Sequence, residues 1–494
     1  MQPSTGINPE QASFLSDVQG IILSGYGHLP HARYLFLRFT SASGARDWVA
    51  RVLPSISTAA PYPVVDGKKR KPASMLNAAF TPAGLATLGI TQETMDTFPP
   101  EFVAGAYARS EILSDTGTSA PEFWEIGGPK NPEIHALLMV FGQDEPALEA
   151  ILSRQESLIT QSNGAVVPIA IESAFRHSDQ KEHFGFHDGV SQPAIKGLEN
   201  RSKTEQAAIE RGEILLGHLN AYQTYPYSPT VGAMQDPSGI LPPLPDGAFP
   251  NLRDLGRNSS YLVYRKLAQD VAGFWNFIER NTGADSSTMI HLASKMVGRW
   301  PSGTPVTLRP DFDDPRLSEE NNFEFMPQDP LGYRCPFGAH IRRANPRDSK
   351  LNDTPAESSQ TSSRHRIVRR GISYGEPLFQ RDTLDQGIAP VGLQDDGKPR
   401  GLHFFGINAS IARQFEFLQQ TWCDSPTFNA EFDTKDPIIG ANDGKGYMTL
   451  QGCPVAQRIG NVPRFVTVRG GLYLFMPSLN ALRYLATHLQ VVRP

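Results

Sequence analysis

With three cysteines in 494 residues, Cys335, Cys423 and Cys453, the chain has too few for a disulfide framework. None forms a CxxC pair or a Cys/His cluster with zinc spacing, so all three read as reduced thiols. Long apolar runs are missing too: no segment offers about 18 consecutive apolar residues for a membrane span. The first 30 residues lack the basic start and apolar core of a secretory leader. A soluble, cytoplasmic protein is the expectation. Nor is there an excess of positive charge: 46 Lys and Arg against 51 Asp and Glu give a net charge of −5, which excludes an electrostatic footprint for nucleic acid or an anionic membrane.

What is present is enough chain for two or three domains and, at 39% hydrophobic and 20% charged, an ordinary globular composition. Strand-like runs occur at 33–40 (RYLFLRFT), 134–141 and 165–174, with helical spacing between them at 46–56 and 145–159. That alternation predicts an α+β domain over residues 1–200. A polar stretch at 199–213 and a proline-heavy one at 225–250 form a long connection, of a length usually functional or disordered. Beyond it, strands are expected at 259–267, 366–375, 401–408 and 470–477, and helices at 268–281 and 409–422, within a second unit spanning 201–494. In ASIARQFEFLQQTW, Ile411, Phe415, Leu418 and Trp422 recur at spacings of four, three and four, the pattern of one buried helical face.

Three segments carry candidate chemistry. GFHDG, Gly185 to Gly189, sets Asp188 beside a glycine. Asp-Gly alone is common turn chemistry, but glycines also let backbone approach a flat ligand while the carboxylate acts as a base. His183 and His187 compete for such a role. CPFGAHIRRANPRD, 335–348, places His340 after a small Gly-Ala pair and ahead of Arg342, Arg343 and Arg347. A lone His is more often a buried, hydrogen-bonded imidazole than a ligand. In this company it can bind haem iron while the guanidinium groups match the propionates. Cys335 is a rival ligand by chemistry, better read as packing. SRHRIVRRGISYG, 363–375, has Arg364, Arg366, Arg369 and Arg370 within seven residues, a charge run that by itself reads as a solvated edge. Strand alternation puts Arg369 on one face with Ile367 and Gly371, so it is the arginine expected to enter a dry pocket.

Together these segments resemble the dye-decolorising peroxidase family. Its GxxDG signature is similar to Gly185-Phe186-His187-Asp188-Gly189, its proximal-histidine segment to CPFGAHIRRANPR, and its distal-arginine segment to Ile367-Val368-Arg369-Arg370-Gly371. VQGIILSGYG (18–27), ARSEILSDTG (108–117), LGRNSSYLVYR (255–265) and VPRFVTVRGGLYLFMPSLNAL (462–482) extend the likeness, as in the larger members of that family. The resemblance implies two ferredoxin-like α+β domains, antiparallel sheets packed against helices, holding one haem b per chain mainly in the C-terminal domain. It implies His340 on the iron, Asp188 and Arg369 on the opposite face, and Gly185, Phe186, His187, Gly189 and Arg343 around the cofactor. A carboxylate commonly accepts the N–H of a ligating His; Glu416 is the nearest acid in the segment where the family carries one, though Arg413 is a rival partner for it.

The implied activity is peroxidase: Asp188 shuttles a proton between the two oxygens of hydrogen peroxide, Arg369 stabilises developing charge, and dyes, phenols and similar donors supply electrons. Because a carboxylate stays ionised in mild acid, activity is expected to favour acidic pH. Trp275, Trp300, Trp422 and several Tyr are available for electron transfer, with no one of them assigned. A monomer or homodimer is expected. A haem carrier would use the same His340 and arginines but needs no Asp188–Arg369 couple.

Overall fold

The computed structural model describes residues 8–198, 208–245, 247 and 249–487. The expected domain boundary at 200/201, and most of the polar stretch before 213, lie outside the described residues. Nine strands form one antiparallel sheet: β1 (His31–Phe39), β2 (Ser74–Phe80), β3 (Ala136–Gly142), β4 (Val166–Phe175), β5 (Ser260–Gln269), β6 (Val368–Arg369), β7 (Ile372–Tyr374), β8 (Gly401–Asn408) and β9 (Val466–Met476). The order is β6-β8-β5-β9-β2-β3-β1-β4, with β7 also paired to β8. Each half repeats one ferredoxin-like order: second, third, first and fourth strand. The halves join where Phe475 of β9 pairs with Phe80 of β2, and β7 lies against β4 at the other end. The sheet thereby curls toward a barrel.

Both faces of the inner strands are buried, which explains their near-continuous apolar runs, while the edge strand β4 is largely exposed. In β1, Leu35, Leu37 and Phe39 face a core shared with Trp48 and Val49 of α1 (Ala42–Val52), Leu148 and Leu152 of α2 (Glu145–Thr160), and the C-terminal segment 479–485. The alternate residues Tyr34 and Phe36 face the barrel interior with Tyr264, Phe405 and Ile407. A third core lies outside the barrel, where α3 (Val271–Thr282) and α4 (Ser286–Val297) pack with Phe184, Phe186, Cys335 and Ala339. Two of the chemistry-bearing segments are anchored on it.

Two expected elements differ. The run 366–375 is broken between β6 and β7, where Arg370 turns its guanidinium back to the carbonyls of Ile21 and Ile22. The helix after Asn408 is π-wound over Ala412–Glu416 and Leu418–Cys423. Its N–H of Glu416 donates to Ile411 O and that of Asp424 to Gln419 O. Ile411, Phe415 and Trp422 are buried as the spacing requires, while Leu418 is only half-buried. Among the described residues no helix is long and apolar enough to cross a membrane.

Candidate active site

The Asp188 loop is tied down by a carboxylate that the sequence did not single out. Glu182 is half-buried inside the loop and accepts the N–H groups of Phe184 and Phe186, each at 2.9 Å, and Gln269 Nε2 at 2.6 Å. Burial raises its pKa, and the neighbouring charge of Asp188 acts in the same direction against those hydrogen bonds. Gly185 sits at φ +100°, and a Cβ there would lie 2.3 Å from Leu384 Cδ1. The glycine therefore serves loop conformation and packing against protein, and Phe186 is buried in the third core. Neither lines the adjoining cavity of about 990 Å³; His187, Asp188, Gly189 and Arg369 do. Of the residues expected around the cofactor, the structure thus brings His187 and Gly189 to the cavity that holds Asp188 and Arg369, and packs Gly185 and Phe186 against protein.

Asp188 Oδ1 accepts its neighbour Gly189 N–H at 2.7 Å and faces Arg369 Nη1 at 3.5 Å. Arg369 is held in turn by the SQP segment: its backbone N–H donates to Gln192 Oε1 at 3.0 Å and Nη2 to Ser191 O at 3.3 Å. Ser191 and Gln192 thus grip the strand carrying Arg369. His187 is oriented by protein, with Nδ1 3.1 Å from Ser302 O.

His340 opens the short helix α5 (His340–Ala344). Its Nδ1 lies 2.8 Å from Oδ2 of Asp436, whose Oδ1 accepts the N–H groups of Ile438 and Ile439 at 2.8 and 3.0 Å. Asp436 is fully buried. Burial pushes its pKa up, but the charge and hydrogen bond of His340 and the two backbone N–H groups outweigh that and leave it lowered. The Nδ1–H donated to Asp436 leaves the Nε2 lone pair available, and Nε2 has no hydrogen bond to any described residue.

Asp436, not Glu416, is therefore the acceptor of the His340 N–H. Glu416 faces elsewhere: it takes Arg109 Nε at 2.8 Å and Nη2 at 2.6 Å, and the Tyr473 hydroxyl at 3.0 Å. Its place on the π-wound segment aims it at β9. The three arginines expected to meet propionates are also committed to protein. Arg342 binds Asp329 and Cys335 O; Arg343 binds the carbonyls of Trp422, Ser425 and Thr434; Arg347 binds those of Asn321 and Phe323.

A different set of guanidinium groups is coupled through charge to Arg369. Burial first, then proximity to Arg369, lowers both Arg299 and Arg366 to about 10. Arg347 is lowered by burial and by Arg366 and Arg299. Arg299 and Arg347 are bonded to backbone carbonyls, Arg299 Nη1 to Gly303 O at 2.7 Å and Glu320 O at 2.9 Å, so the half-buried Arg366 and Arg369 are the members of the set for an anionic ligand. Arg366 belongs to the four-arginine run that by itself reads as a solvated edge, whereas nothing in the local sequence distinguished Arg299.

One segment links the two sides. A Cβ on Gly298 would lie 2.3 Å from Ile341 Cγ1, next to His340, while Pro301 O accepts the His187 N–H at 3.1 Å. The helix of His340 and the Asp188 loop thus flank the same short stretch of chain. The donor set fits haem: one imidazole with a free nitrogen for iron, and clustered guanidinium groups for two propionates. Cys335 does not compete: it is fully buried among the apolar side chains of the third core, where burial also raises its thiol to about 11.

The description "DyP dimeric alpha+beta barrel domain" matches residues 17–176. Over 96% of this chain and 97% of its counterpart, the sequence is 31% identical to the multifunctional dye peroxidase of Amycolatopsis sp.. An ancestral D-type dye decolorizing peroxidase superposes with a TM-score of 0.75 at 28% identity, covering 95% of this chain and 98% of that one. A dye-decolorizing peroxidase in complex with 2,6-dimethoxyphenol does so at 0.75 and 26% identity, covering 96% and 99%. Alike in barrel and in sequence across nearly its whole length, the chain belongs to the dye-decolorising peroxidase family of haem enzymes.

Proposed function

We propose that this chain binds one haem b, reduces hydrogen peroxide, and takes electrons from dyes, phenols and related one-electron donors. The observation that carries the reading is the pairing of two sites across residues 298–303: a His340 whose Nδ1 is fixed on Asp436, and an Asp188–Arg369 couple on a cavity wall. The 2,6-dimethoxyphenol named for a solved relative supports phenols as donors.

Haem, when bound, supplies the iron at which the peroxide bond is reduced and from which donors are oxidised. His340 Nε2 is the ligand, and the hydrogen bond from its Nδ1–H to Asp436 raises the basicity of the ring. Asp188 holds and moves the proton. Its Oδ1 is occupied by Gly189 and Arg369, so Oδ2 takes a proton from one peroxide oxygen and returns it to the other, which leaves as water. The Arg369 guanidinium opposes the negative charge that develops as the oxygens separate. Arg366 would hold the propionate side.

The test is an absorption spectrum of the purified protein supplied with hemin, before and after stoichiometric peroxide, for wild type and His340→Ala. The expected result is a Soret band in wild type that changes with peroxide, with a weakened or displaced band in the variant. A wild type that takes up no hemin overturns the reading.

A further inference from the structure

Arg343 stands one helical turn beyond His340 on α5 and is completely buried. Among the described residues it forms no salt bridge. Its Nη1 donates to Trp422 O at 2.6 Å and Ser425 O at 3.0 Å, its Nη2 donates to Thr434 O, and its Cζ lies 5.2 Å from the centre of the Phe428 ring. These acceptors come from the two ends of a single loop, 422–436. That loop ends at Asp436, whose own N–H returns to Cys423 O at 2.8 Å.

We propose that Arg343 is a positioning residue: a cross-brace that fixes Asp436 against His340 and so sets the electron-donating strength of the imidazole. The inference rests on reading His340 as the iron ligand. A buried cation without a salt-bridge partner is costly, and an apolar side chain would fill the same volume more cheaply. What the guanidinium adds is reach. Its planar fork of donors grips carbonyls on both ends of the loop at once, whereas a Lys ammonium donates from one point and cannot span them. Because the fork starts from the same short helix as His340, the brace fixes the loop relative to the imidazole itself. The electrostatics agree: burial lowers the Arg343 pKa, and the Asp436 carboxylate is the largest influence opposing that shift.

The experiment compares haem-loaded wild type, Arg343→Lys, Asp436→Asn and the double variant by the ferric/ferrous midpoint potential. Losing a properly placed carboxylate weakens the imidazole as a donor and destabilises ferric iron, so both single variants are expected to raise the potential. The double variant is expected to match Asp436→Asn alone. A wild-type potential in haem-loaded Arg343→Lys, or shifts that add in the double variant, overturns the proposal. A brace that served stability alone would lower the melting temperature and leave the potential in place.

A second readout needs no haem: hydrogen exchange at the amides of Ile438 and Ile439, both bonded to Asp436. Arg343→Lys is expected to speed their exchange, and unchanged protection in a folded variant counts against the brace. Failure of wild type to bind hemin would remove the peroxidase reading, while the exchange comparison would still decide whether Arg343 holds Asp436.

Discussion

Arg369 approaches Asp188 through one guanidinium nitrogen, 3.5 Å from the carboxylate oxygen that already accepts the Gly189 amide at 2.7 Å. Both partners fall on Oδ1, so the other oxygen is left to the cavity. The side chains are 35% and 31% exposed, open enough for a molecule the size of peroxide to reach them. An ion pair this long and this exposed contributes little to stability. Its geometry suits a base that must give and take a proton, with a cation beside it.

Asp188→Asn preserves the shape and the Gly189 hydrogen bond but cannot accept the peroxide proton. The rate of reaction with peroxide, followed by stopped-flow absorbance, is expected to fall about 10²–10⁴-fold, the range for removal of a general acid–base group. The resting haem spectrum should be unchanged. A rate within twofold of wild type would remove Asp188 from the mechanism.

The two glycines flanking that loop segment separate conformation from contact. Gly185 and Gly189 both have positive φ, +100° and +86°, but only Gly185 has protein atoms where a Cβ would go; around Gly189 there is none within 4 Å. Gly189→Ala is expected to cost about 1–2 kcal/mol of left-handed strain. Gly185→Ala adds to the same strain an overpacking cost of typically 1–3 kcal/mol against Leu384. Denaturant melts of the two variants check the order, and equal destabilisation would show that the Leu384 contact yields freely.

The inner strands were readable because both of their faces are buried and the runs are rich in aromatic and branched residues, as in RYLFLRFT and GLHFFGIN. β2, SMLNAAF, was not: it has no β-branched residue, and its Asn77 is buried through hydrogen bonds to Tyr26 and Gln19. The same division applies to the site. Asp188, His340 and Arg369 stand in short segments whose residue types state their chemistry locally. Asp436 lies 96 positions from His340, and only the folded loop brings it there. Glu416 was singled out as the nearest acid in the segment where the family carries one, but the fold turns it to Arg109 and Tyr473. Arg343 is committed to backbone carbonyls, and Arg342 and Arg347 to carbonyls together with Asp329 and Asn321, partners that no local sequence pattern announces.

Histidine burial predicts a pH dependence of stability. His183, His218 and His365 are lowered to about 4 and His403 to about 3, in each case chiefly by burial. For His403, Lys266 adds to the effect, and the ring is neutral although Glu172 lies 3.6 Å away. Each is uncharged in the folded chain and titrates near 6.5 when unfolded. Their contribution is therefore complete above pH 6.5 and is lost as pH falls toward 4 and 3. Buried carboxylates with raised pKa, such as Asp115 and Asp254, act with the opposite sign. The clean measurement is consequently a difference: between pH 7 and 4.5 the melting temperature of wild type should fall by more than that of His403→Gln. Parallel pH curves would mean that His403 is not neutral in the fold.

Asp436 and Glu416 offer the sharpest contrast, since both are buried acids and only one touches His340. Asp436→Asn can still fill the loop but presents a weaker acceptor to the imidazole, and partners of this kind typically contribute 10–100-fold to metal affinity or activity. It is expected to reduce activity by about that factor and to shift the haem spectrum. Glu416→Gln breaks the bidentate pair with Arg109 on a carboxylate only 3% exposed. Removing one partner of a fully buried pair costs about 3–5 kcal/mol, and because the Arg109 side chain is 28% exposed the loss should be smaller. Its haem spectrum and its rate with peroxide should match wild type. Spectra, rates and melts on the two variants therefore exchange roles, one altering iron and the other stability. If Glu416→Gln moved the spectrum and Asp436→Asn did not, the hydrogen bond between His340 and Asp436 would not be the one that governs the metal.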